Sequence, residues 1–424
     1  MAVDQSPAAL PPATDTYLAV LGEKAVAFER LVHSADPGTP VVTCGSWTLC
    51  DLGAHLGQVV PLRGSRVPSI AVDDFTRAVR TWGTTRPGRQ RSPAGRDAGR
   101  ITPVAPWPRG PQAASVDHTP EARMPPVLVT GAAGRVGAVG RTVVEGLRRR
   151  GLKVRALVRR DDDRAEALRA TGAEVVVGDL TSSRDVAEAL DGCGRVYFGM
   201  AVSEQYLPAA VTTAVAARAY GGLEAFVNMS QLTVSEMDLT STSESHQQRQ
   251  QWLVEQLLGW SGLPVVQVRP TVFLENPLFQ VGFSSILRDD TIRLPFGQAK
   301  TSPIAAHDVA AAVEEILADP ARHVGRVYEL TGPRSESIAA MAAEISAALG
   351  RTVGYTNVPL EQWLDHDLRA LGLPEHVFQH TSTMARLHAA NRYDRQADGM
   401  EQIMGRPAAG VADYVRRNPE LFTR

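Results

Sequence analysis

One stretch of this 424-residue chain constrains its fold more than any other: a short apolar run followed at once by three evenly spaced glycines. Val127 to Thr130 has the length and composition of a buried strand, and the glycines are Gly131, Gly134 and Gly137. The segment from Val136 to Arg150 then has apolar residues at helical spacing. A glycine loop between a strand and a helix predicts a site where bare backbone and a helix N-terminus approach a pyrophosphate.

Strand-like and helix-like patterns alternate from this motif to the C-terminus. Such alternation is typical of parallel sheets covered by helices on both faces, so we predict an α/β protein with a Rossmann-like, doubly wound sheet. Helices are predicted from His307, from Ser337 to Leu349, and over much of residues 360–424. The other predicted strands are Val154 to Val158, Glu174 to Val177, Arg195 to Met200, Ala225 to Met229, Val265 to Val268, Val327 to Leu330 and Val353 to Val358.

The residues after the second predicted strand bear on the choice between NAD and NADP. An acidic residue there holds the ribose 2′-hydroxyl of NAD, whereas an arginine accommodates the 2′-phosphate of NADP. This chain has Arg159 and Arg160 at that point. The pair favours NADP, with NAD as the other possible cofactor and two merely solvated arginines as the alternative.

Three other polar residues each allow two interpretations. Asp179 ends the third predicted strand and either accepts a hydrogen bond from an adenine amino group or caps the next helix. Ser230 follows the fifth strand and either donates to a substrate oxygen or caps a helix. His246 precedes a helix and is either a proton-transfer group or a surface residue. Four later histidines lack metal-ligand spacing and are predicted to be structural or exposed: His366, His376, His380 and His388.

Residues 126 to about 424 resemble the NmrA-like branch of the atypical short-chain dehydrogenase/reductases. The resemblance implies a Rossmann domain with a smaller C-terminal α/β substrate part, from about residue 272 to 424. That family includes reductases as well as regulators that sense the cofactor. The segments that carry it are Val127 to Gly137, Val154 to Arg159, Gly178 to Leu180, Ser261 to Pro264, Arg269 to Asn276, Pro303 to Ala310 and Tyr328 to Pro333.

The resemblance also implies which residues bind ligands. Phe273 and Asn276 are expected to contact the substrate, with a turn before Pro277 as the alternative role of Asn276. The residues expected to bind the cofactor are Gly131, Ala133, Gly134, Arg135, Val136, Gly137, Arg159, Asp179, Leu180, Met200 and Ser230.

One feature of typical short-chain dehydrogenases is missing from the sequence. They use a Tyr-x-x-x-Lys pair, in which the lysine lowers the pKa of the tyrosine, but no tyrosine of this chain has a lysine four residues later. A reductase without this pair suits small acceptors that need little help from a protein acid, such as quinone-, azo- or enone-like compounds. The absence equally suits a regulatory protein that binds NADP(H) to sense it and catalyses nothing.

The N-terminal third is predicted to be organised differently. Residues 1–84 are predicted to be a short helical appendage, of which 15–60 resemble the opening of the DinB-like domain of mycothiol-dependent maleylpyruvate isomerases. The segment that carries this resemblance, from Trp47 to Gly57, contains His55, which would bind a metal only if the bundle were complete. Residues 85–124 hold seven prolines and seven arginines without apolar periodicity, which predicts a disordered linker before a domain spanning 125–424.

Composition excludes several classes of protein. A net charge of −2 argues against a nucleic-acid partner, and no apolar run is long enough for a membrane helix. With no signal peptide and only three cysteines, a cytoplasmic location is expected. The expected partner is a small-molecule substrate, and a homodimer is possible.

Overall fold

The computed structural model describes residues 124–134 and 138–422. The predicted N-terminal appendage with His55, nearly all of the predicted linker, and Arg135, Val136 and Gly137 lie outside the described residues. The strands are β1 (Val127–Thr130), β2 (Val154–Val158), β3 (Glu174–Val177), β4 (Arg195–Phe198), β5 (Ala225–Met229), β6 (Val265–Pro270), β7 (Thr291–Leu294), β8 (Lys300–Thr301), β9 (Val327–Leu330), β10 (Glu336–Ser337) and β11 (Gly354–Asn357).

Seven of these strands form one parallel sheet in the order β3-β2-β1-β4-β5-β6-β9. Because the order reverses between β1 and β4, the chain leaves the two strands in opposite directions and opens a crevice at their carboxyl ends. The helices are α1 (Val139–Arg149), α2 (Asp163–Arg169), α3 (Ser183–Leu190), α4 (Tyr206–Tyr220), α5 (His246–Trp260), α6 (Pro277–Ser284), α7 (Ile286–Asp289), α8 (Ala306–Ala318), α9 (Ile338–Leu349), α10 (Leu360–Gln362), α11 (Glu375–Ala389), α12 (Gly399–Met404) and α13 (Val411–Arg417).

The prediction of a doubly wound parallel sheet is confirmed, and five of its strands have the predicted bounds. The fourth strand ends at Phe198, two residues early, because the Thr130 hydroxyl binds both the amide and the carbonyl of Gly199. The sixth continues to Pro270, since β9 pairs with its last residues. The described part of the first helix begins at Val139.

Two apolar cores cover the faces of the large sheet. One packs α1 and α8 against the sheet through Val143, Leu147, Val309 and Val313, and the other packs α3 and α4 on the opposite face. The apolar face predicted for the helix at His307 is therefore buried as expected. Among the described residues, no helix is long and apolar enough to cross a bilayer.

A third apolar core lies in the C-terminal part and is built around Phe279, Phe283, Trp363 and Tyr414. Two small sheets belong to this part, β7 with β11 and β8 with β10. The chain nevertheless returns to the large sheet between these elements, because α8, β9 and α12 pack into the first core. The C-terminal part is thus joined to the Rossmann-like layer at several points along the chain.

Candidate functional site

A cleft of about 270 Å³ lies at the carboxyl edge of the large sheet. One end contains the glycine loop after β1, and the other contains residues that follow β5 and β6 together with one face of α11. The structure brings six of the predicted site residues together here, and they are Gly131, Gly134, Met200, Ser230, Phe273 and Asn276. Ligands of open α/β sheets bind at this position, outside the strand ends where the strand order reverses.

Gly131 is the point at which β1 comes closest to the end of β4. Its φ of +68° lies in the left-handed region, and a Cβ on this residue would overlap the carbonyl oxygen of Gly199. Thr130 holds the same contact, since its hydroxyl donates to the Gly199 carbonyl at 2.9 Å. Only glycine at position 131 therefore allows both the turn and the close approach.

Gly140 brings helix α1 against the glycine loop. A Cβ on Gly140 would lie 2.8 Å from the carbonyl oxygen of Gly131 and 2.9 Å from the Cα of Ala132. Both contacts are with backbone, which cannot move aside as a flexible side chain could. In the described residues, close packing between helix and loop depends on Gly140, a residue that the three-glycine pattern did not include.

Gly134 and Ala133 complete the described part of the loop. The amide of Gly134 donates to the carbonyl of Gly131 at 3.0 Å, which closes a tight turn. The carbonyl of Ala133 accepts from the Arg164 guanidinium at 3.0 Å. Arg164 also pairs with Asp162 at the start of α2, so a cation that sequence reasoning missed connects this helix to the loop.

Exposed arginines and paired acids follow β2. The side chain of Arg159 is 79% exposed and its Nε lies 3.9 Å from Asp179, while Arg160 is also exposed. The two acids that come next are both engaged: Asp161 pairs with Arg169 at 2.8 Å, and Asp162 pairs with Arg164. The first two residues after β2 are therefore exposed arginines; of the three acids that follow, Asp161 and Asp162 are paired, and Asp163 is exposed at the start of α2.

Asp179 forms a local turn after β3. Its Oδ1 accepts from the amide of Thr181 at 2.8 Å and from the Thr181 hydroxyl at 2.7 Å. These bonds and the charge of Arg159 lower the pKa of Asp179. The predicted capping role is wrong, because Ser182 caps α3 by accepting from the amide of Asp185. Leu180 is half-buried beside the core on the α3 side of the sheet.

The inner end of the cleft contains buried hydroxyl groups. Ser230 follows β5 and is 3% exposed, and Thr271 follows β6 and is 4% exposed. The hydroxyl oxygens of both lack a hydrogen-bond partner among the described residues. Asn276 lines the cleft. It also caps α6, directly before Pro277, by accepting from the amide of Leu278 at 3.0 Å.

Amide side chains form much of the wall beside Ser230. Gln231 donates to Gln251, and Thr233 donates to Gln231 at 3.0 Å. Gln248 donates to the Thr233 hydroxyl at 3.0 Å from the first turn of α5. Gln247 lines the cleft four residues before Gln251, so the face of α5 that points to the site is neutral and polar.

His380 reaches the cleft from α11 and is 7% exposed. Its Nδ1 lies 2.7 Å from the Ser245 hydroxyl, and burial lowers the pKa of His380 to about 4. His380 is buried, in agreement with the structural alternative of the sequence prediction, and it also lines the cleft, which the sequence did not indicate. Its signal in the sequence was weak, because it lies more than a hundred residues from every strand end that forms the cleft.

The remaining tyrosine and histidine candidates have other surroundings. His246 is exposed at the start of α5 and is not among the residues that line the cleft, which favours the surface interpretation. Tyr197 lines the cleft, but complete burial raises its pKa. His388 is buried between the rings of Phe296 and Tyr393, and its role there is packing.

Comparison with known proteins agrees with this arrangement. The sequence model of the NmrA-like family matches residues 125–413. An NAD(P)H azoreductase from Xenophilus azovorans is 29% identical over 293 residues, which is 68% of this chain and 97% of that protein. A (4-alkanoyl-5-oxo-2,5-dihydrofuran-3-yl)methyl phosphate reductase from Streptomyces griseus is 30% identical over 298 residues, 70% of this chain and 99% of the relative.

A solved structure has the same fold. The NADPH-dependent quinone oxidoreductase of Escherichia coli, crystallised with NADPH, superposes with a TM-score of 0.59 at 23% identity. The superposition covers 69% of this chain and 99% of the oxidoreductase. At this identity the likeness concerns the fold alone.

Proposed function

The chain belongs to the NmrA-like family, and we propose that it is an NADP(H)-dependent reductase of small organic acceptors. The observation that carries the proposal is the continuity of the cleft: the glycine loop and the buried hydroxyls of Ser230 and Thr271 line one cavity. A nicotinamide and an acceptor can therefore lie side by side. The relatives named as NAD(P)H azoreductase and as (4-alkanoyl-5-oxo-2,5-dihydrofuran-3-yl)methyl phosphate reductase support the same chemistry.

The residues at the outer end fit a dinucleotide. Gly131 and Gly134 leave the loop backbone bare for a pyrophosphate, and the N-terminus of α1 follows directly, where a helix favours an anion. Arg159 and Arg160 fit a 2′-phosphate at the end of β2. When bound, the reduced cofactor supplies the hydride.

At the inner end, the chain binds and orients the acceptor. No Tyr-x-x-x-Lys pair is present in the sequence, and the two described tyrosines that line the cleft, Tyr197 and Tyr393, have pKa values that burial raises. Neither loses its proton near neutral pH. The proposed acceptor is therefore one whose reduced oxygen or nitrogen takes its proton from water. Met229, Phe273 and Met384 provide apolar surface in the cleft against which it can pack.

The activity is tested by following NADPH oxidation with a panel of quinones, azo dyes and enones. We expect turnover of at least one acceptor class. Tight NADPH binding without turnover of any of them would overturn the proposal in favour of the other candidate, a regulatory protein that senses NADP(H). Cofactor affinity is measured separately by titration, so that binding and turnover are not confused.

The cofactor preference gives a more specific expectation. Arg159→Ala should weaken NADPH binding roughly fivefold and leave NADH binding nearly unchanged, because an exposed ion pair contributes about 1 kcal/mol at most. Arg416→Ala is the matched control, since its side chain is 62% exposed on α13. Equal affinity of the unaltered protein for NADPH and NADH would contradict the NADP assignment.

A further inference from the structure

The inner end of the cleft is polar but uncharged. None of the described residues that line it is Asp, Glu, Lys or Arg. A charged ligand would leave water for a site without a countercharge there, which costs free energy. The buried hydroxyls of Ser230 and Thr271 lack partners and can donate to a ligand that carries hydrogen-bond acceptors. The lining therefore fits a neutral molecule with acceptor oxygens.

His380 adds a donor whose direction is set by its partner. The Ser245 hydroxyl accepts from the amide of Gln248 at 3.1 Å, which uses one of its lone pairs. Nδ1 of His380 lies 2.7 Å from this hydroxyl and accepts a hydrogen bond from it when the ring is the Nε2–H tautomer. An imidazole that accepts at Nδ1 carries its proton on Nε2, and His380 lines the cleft. Because burial lowers its pKa to about 4, the ring is neutral at pH 7.

We propose that the cleft selects uncharged acceptors with a carbonyl oxygen, such as quinones and enones, and that His380 donates a hydrogen bond from Nε2 to that oxygen. This inference rests on the proposed reductase function and specifies its substrate class. On reduction the acceptor gains a hydride, with both of its electrons, from the dihydronicotinamide, and negative charge develops on the carbonyl oxygen. His380 stabilises this charge while keeping its proton, and the oxygen takes the balancing proton from water.

The charge selection is tested with a matched pair of acceptors, 1,4-naphthoquinone and its 2-sulfonate. The two share the quinone ring; the sulfonate adds one negative charge, and its electron withdrawal makes the ring easier to reduce, so a lower kcat/KM for the sulfonate is not explained by reactivity. We expect kcat/KM to favour the neutral quinone by roughly 100-fold, because the sulfonate loses its hydration in a site that has no countercharge. Comparable values for the two acceptors would overturn the charge selection.

The role of His380 is tested with two substitutions and a control on the same helix. His380→Phe keeps a ring but removes the donor, and should lower kcat/KM for naphthoquinone by roughly 10- to 100-fold with NADPH affinity unchanged. His380→Gln keeps an N–H donor and should restore part of the loss. His376→Phe, one turn earlier on α11 and outside the cleft lining, should leave kcat/KM unchanged. Full activity of His380→Phe would overturn the assignment.

A binding measurement separates failure of this inference from failure of the proposed function. Naphthoquinone and its sulfonate are titrated into the protein saturated with NADP⁺, where no turnover occurs. We expect the neutral quinone to bind more tightly to the unaltered protein than to His380→Phe. If NADPH oxidation fails with every acceptor but this difference is present, the reductase proposal is wrong and the neutral carbonyl site remains. If turnover is present and the difference is absent, the site assignment alone is wrong.

Discussion

At the scale of single residues, the site depends on glycines whose missing side chains are required for different reasons. Gly131 needs a positive φ as well as space, whereas Gly140 is helical and needs space alone. Gly259 is also helical, but a Cβ there would meet nothing within 4 Å. The two helical glycines thus form a matched pair, in which one is constrained by its neighbours and the other is not.

Gly140→Ala should weaken NADPH binding and lower the free energy of unfolding by about 1–3 kcal/mol, because the added methyl group meets loop backbone at 2.8–2.9 Å. Gly259→Ala should instead raise the free energy of unfolding by up to about 1 kcal/mol, since alanine favours helix and the position is open. Urea unfolding and NADPH titration of both variants give the comparison. Equal behaviour of the two would contradict the close-packing role of Gly140.

The buried histidines make stability depend on pH. Burial lowers the pKa of His380 to about 4 and that of His388 to about 3, from an ordinary value near 6.5. As the pH falls below about 6.5, the unfolded chain binds protons that the folded chain does not, so the free energy of unfolding should fall by up to about 1.4 kcal/mol per pH unit per histidine. The fall from His380 should end near pH 4, where the folded residue is protonated as well.

Urea unfolding at pH 7.5 and 5.5 measures this effect above the pH range in which carboxylates ordinarily titrate. His380→Gln should show a smaller decrease between the two pH values than the unaltered protein, because it lacks one of the titrating groups. His376→Gln, on the same helix but only partly buried, serves as the control. A decrease in His380→Gln as large as in the unaltered chain would show that His380 is not kept neutral by burial.

At the scale of elements, the first turn of α5 connects folding with the site. Ser245 caps this helix by accepting from the amide of Gln248, and the Gln248 side chain accepts from the amide of Ser245 at 2.8 Å. The same hydroxyl binds His380 of α11. Ser245 therefore begins a helix, joins two elements and, in the proposed tautomer, places the proton of His380 on Nε2.

Ser245→Ala should lower the free energy of unfolding by about 1 kcal/mol through loss of the cap, and should also lower kcat/KM for a quinone. Ser337→Ala removes the equivalent cap of α9, because the Ser337 hydroxyl accepts from the amide of Ala340 at 3.3 Å. Ser337 lies outside the cleft lining. It should cost similar stability without affecting the quinone. If both variants lose activity in proportion to stability, Ser245 acts on the site only through the fold.

At the scale of the whole molecule, ion pairs fix the C-terminal part to the large sheet. Arg395 pairs with Glu329 of β9 at 2.8 Å. Asp308, fully buried at the start of α8, accepts from Arg406 at 3.0 Å and from the amide of Ala409 at 2.7 Å. Because a buried carboxylate needs partners that replace its water, the bonds of Asp308 to Arg406 and Ala409 hold the chain after α12 in one place.

A fragment from Glu121 to Arg424 should fold and bind NADPH as tightly as the full chain. The three apolar cores lie within the described residues, and the family match covers 125–413. In the full chain, limited proteolysis should cut first between residues 85 and 124, where the sequence has no pattern able to pack. Protection of that segment, or a fragment that fails to bind NADPH, would contradict the predicted division of the chain.

The large sheet and the glycine loop at its carboxyl edge could be predicted from the sequence, because both depend on local signals. A buried strand, a glycine turn and a helix follow one another directly from Val127 onward, and the period of the apolar residues distinguishes strand from helix. The place of Ser230 after β5 also followed from chain order alone, since parallel strands bring their carboxyl ends to one edge.

The inner end of the cleft could be described only from the tertiary structure. His380 and Ser245 are 135 residues apart in the chain, and nothing local indicates that they meet. From the sequence, the neutral polar face of α5 looks the same as a face exposed to solvent, and only the structure shows that α11 lies across the cleft from it. Gly140 was missed because its need for space comes from the loop packed against it and not from its own turn. These features depend on contacts between distant segments, which periodicity and composition do not record.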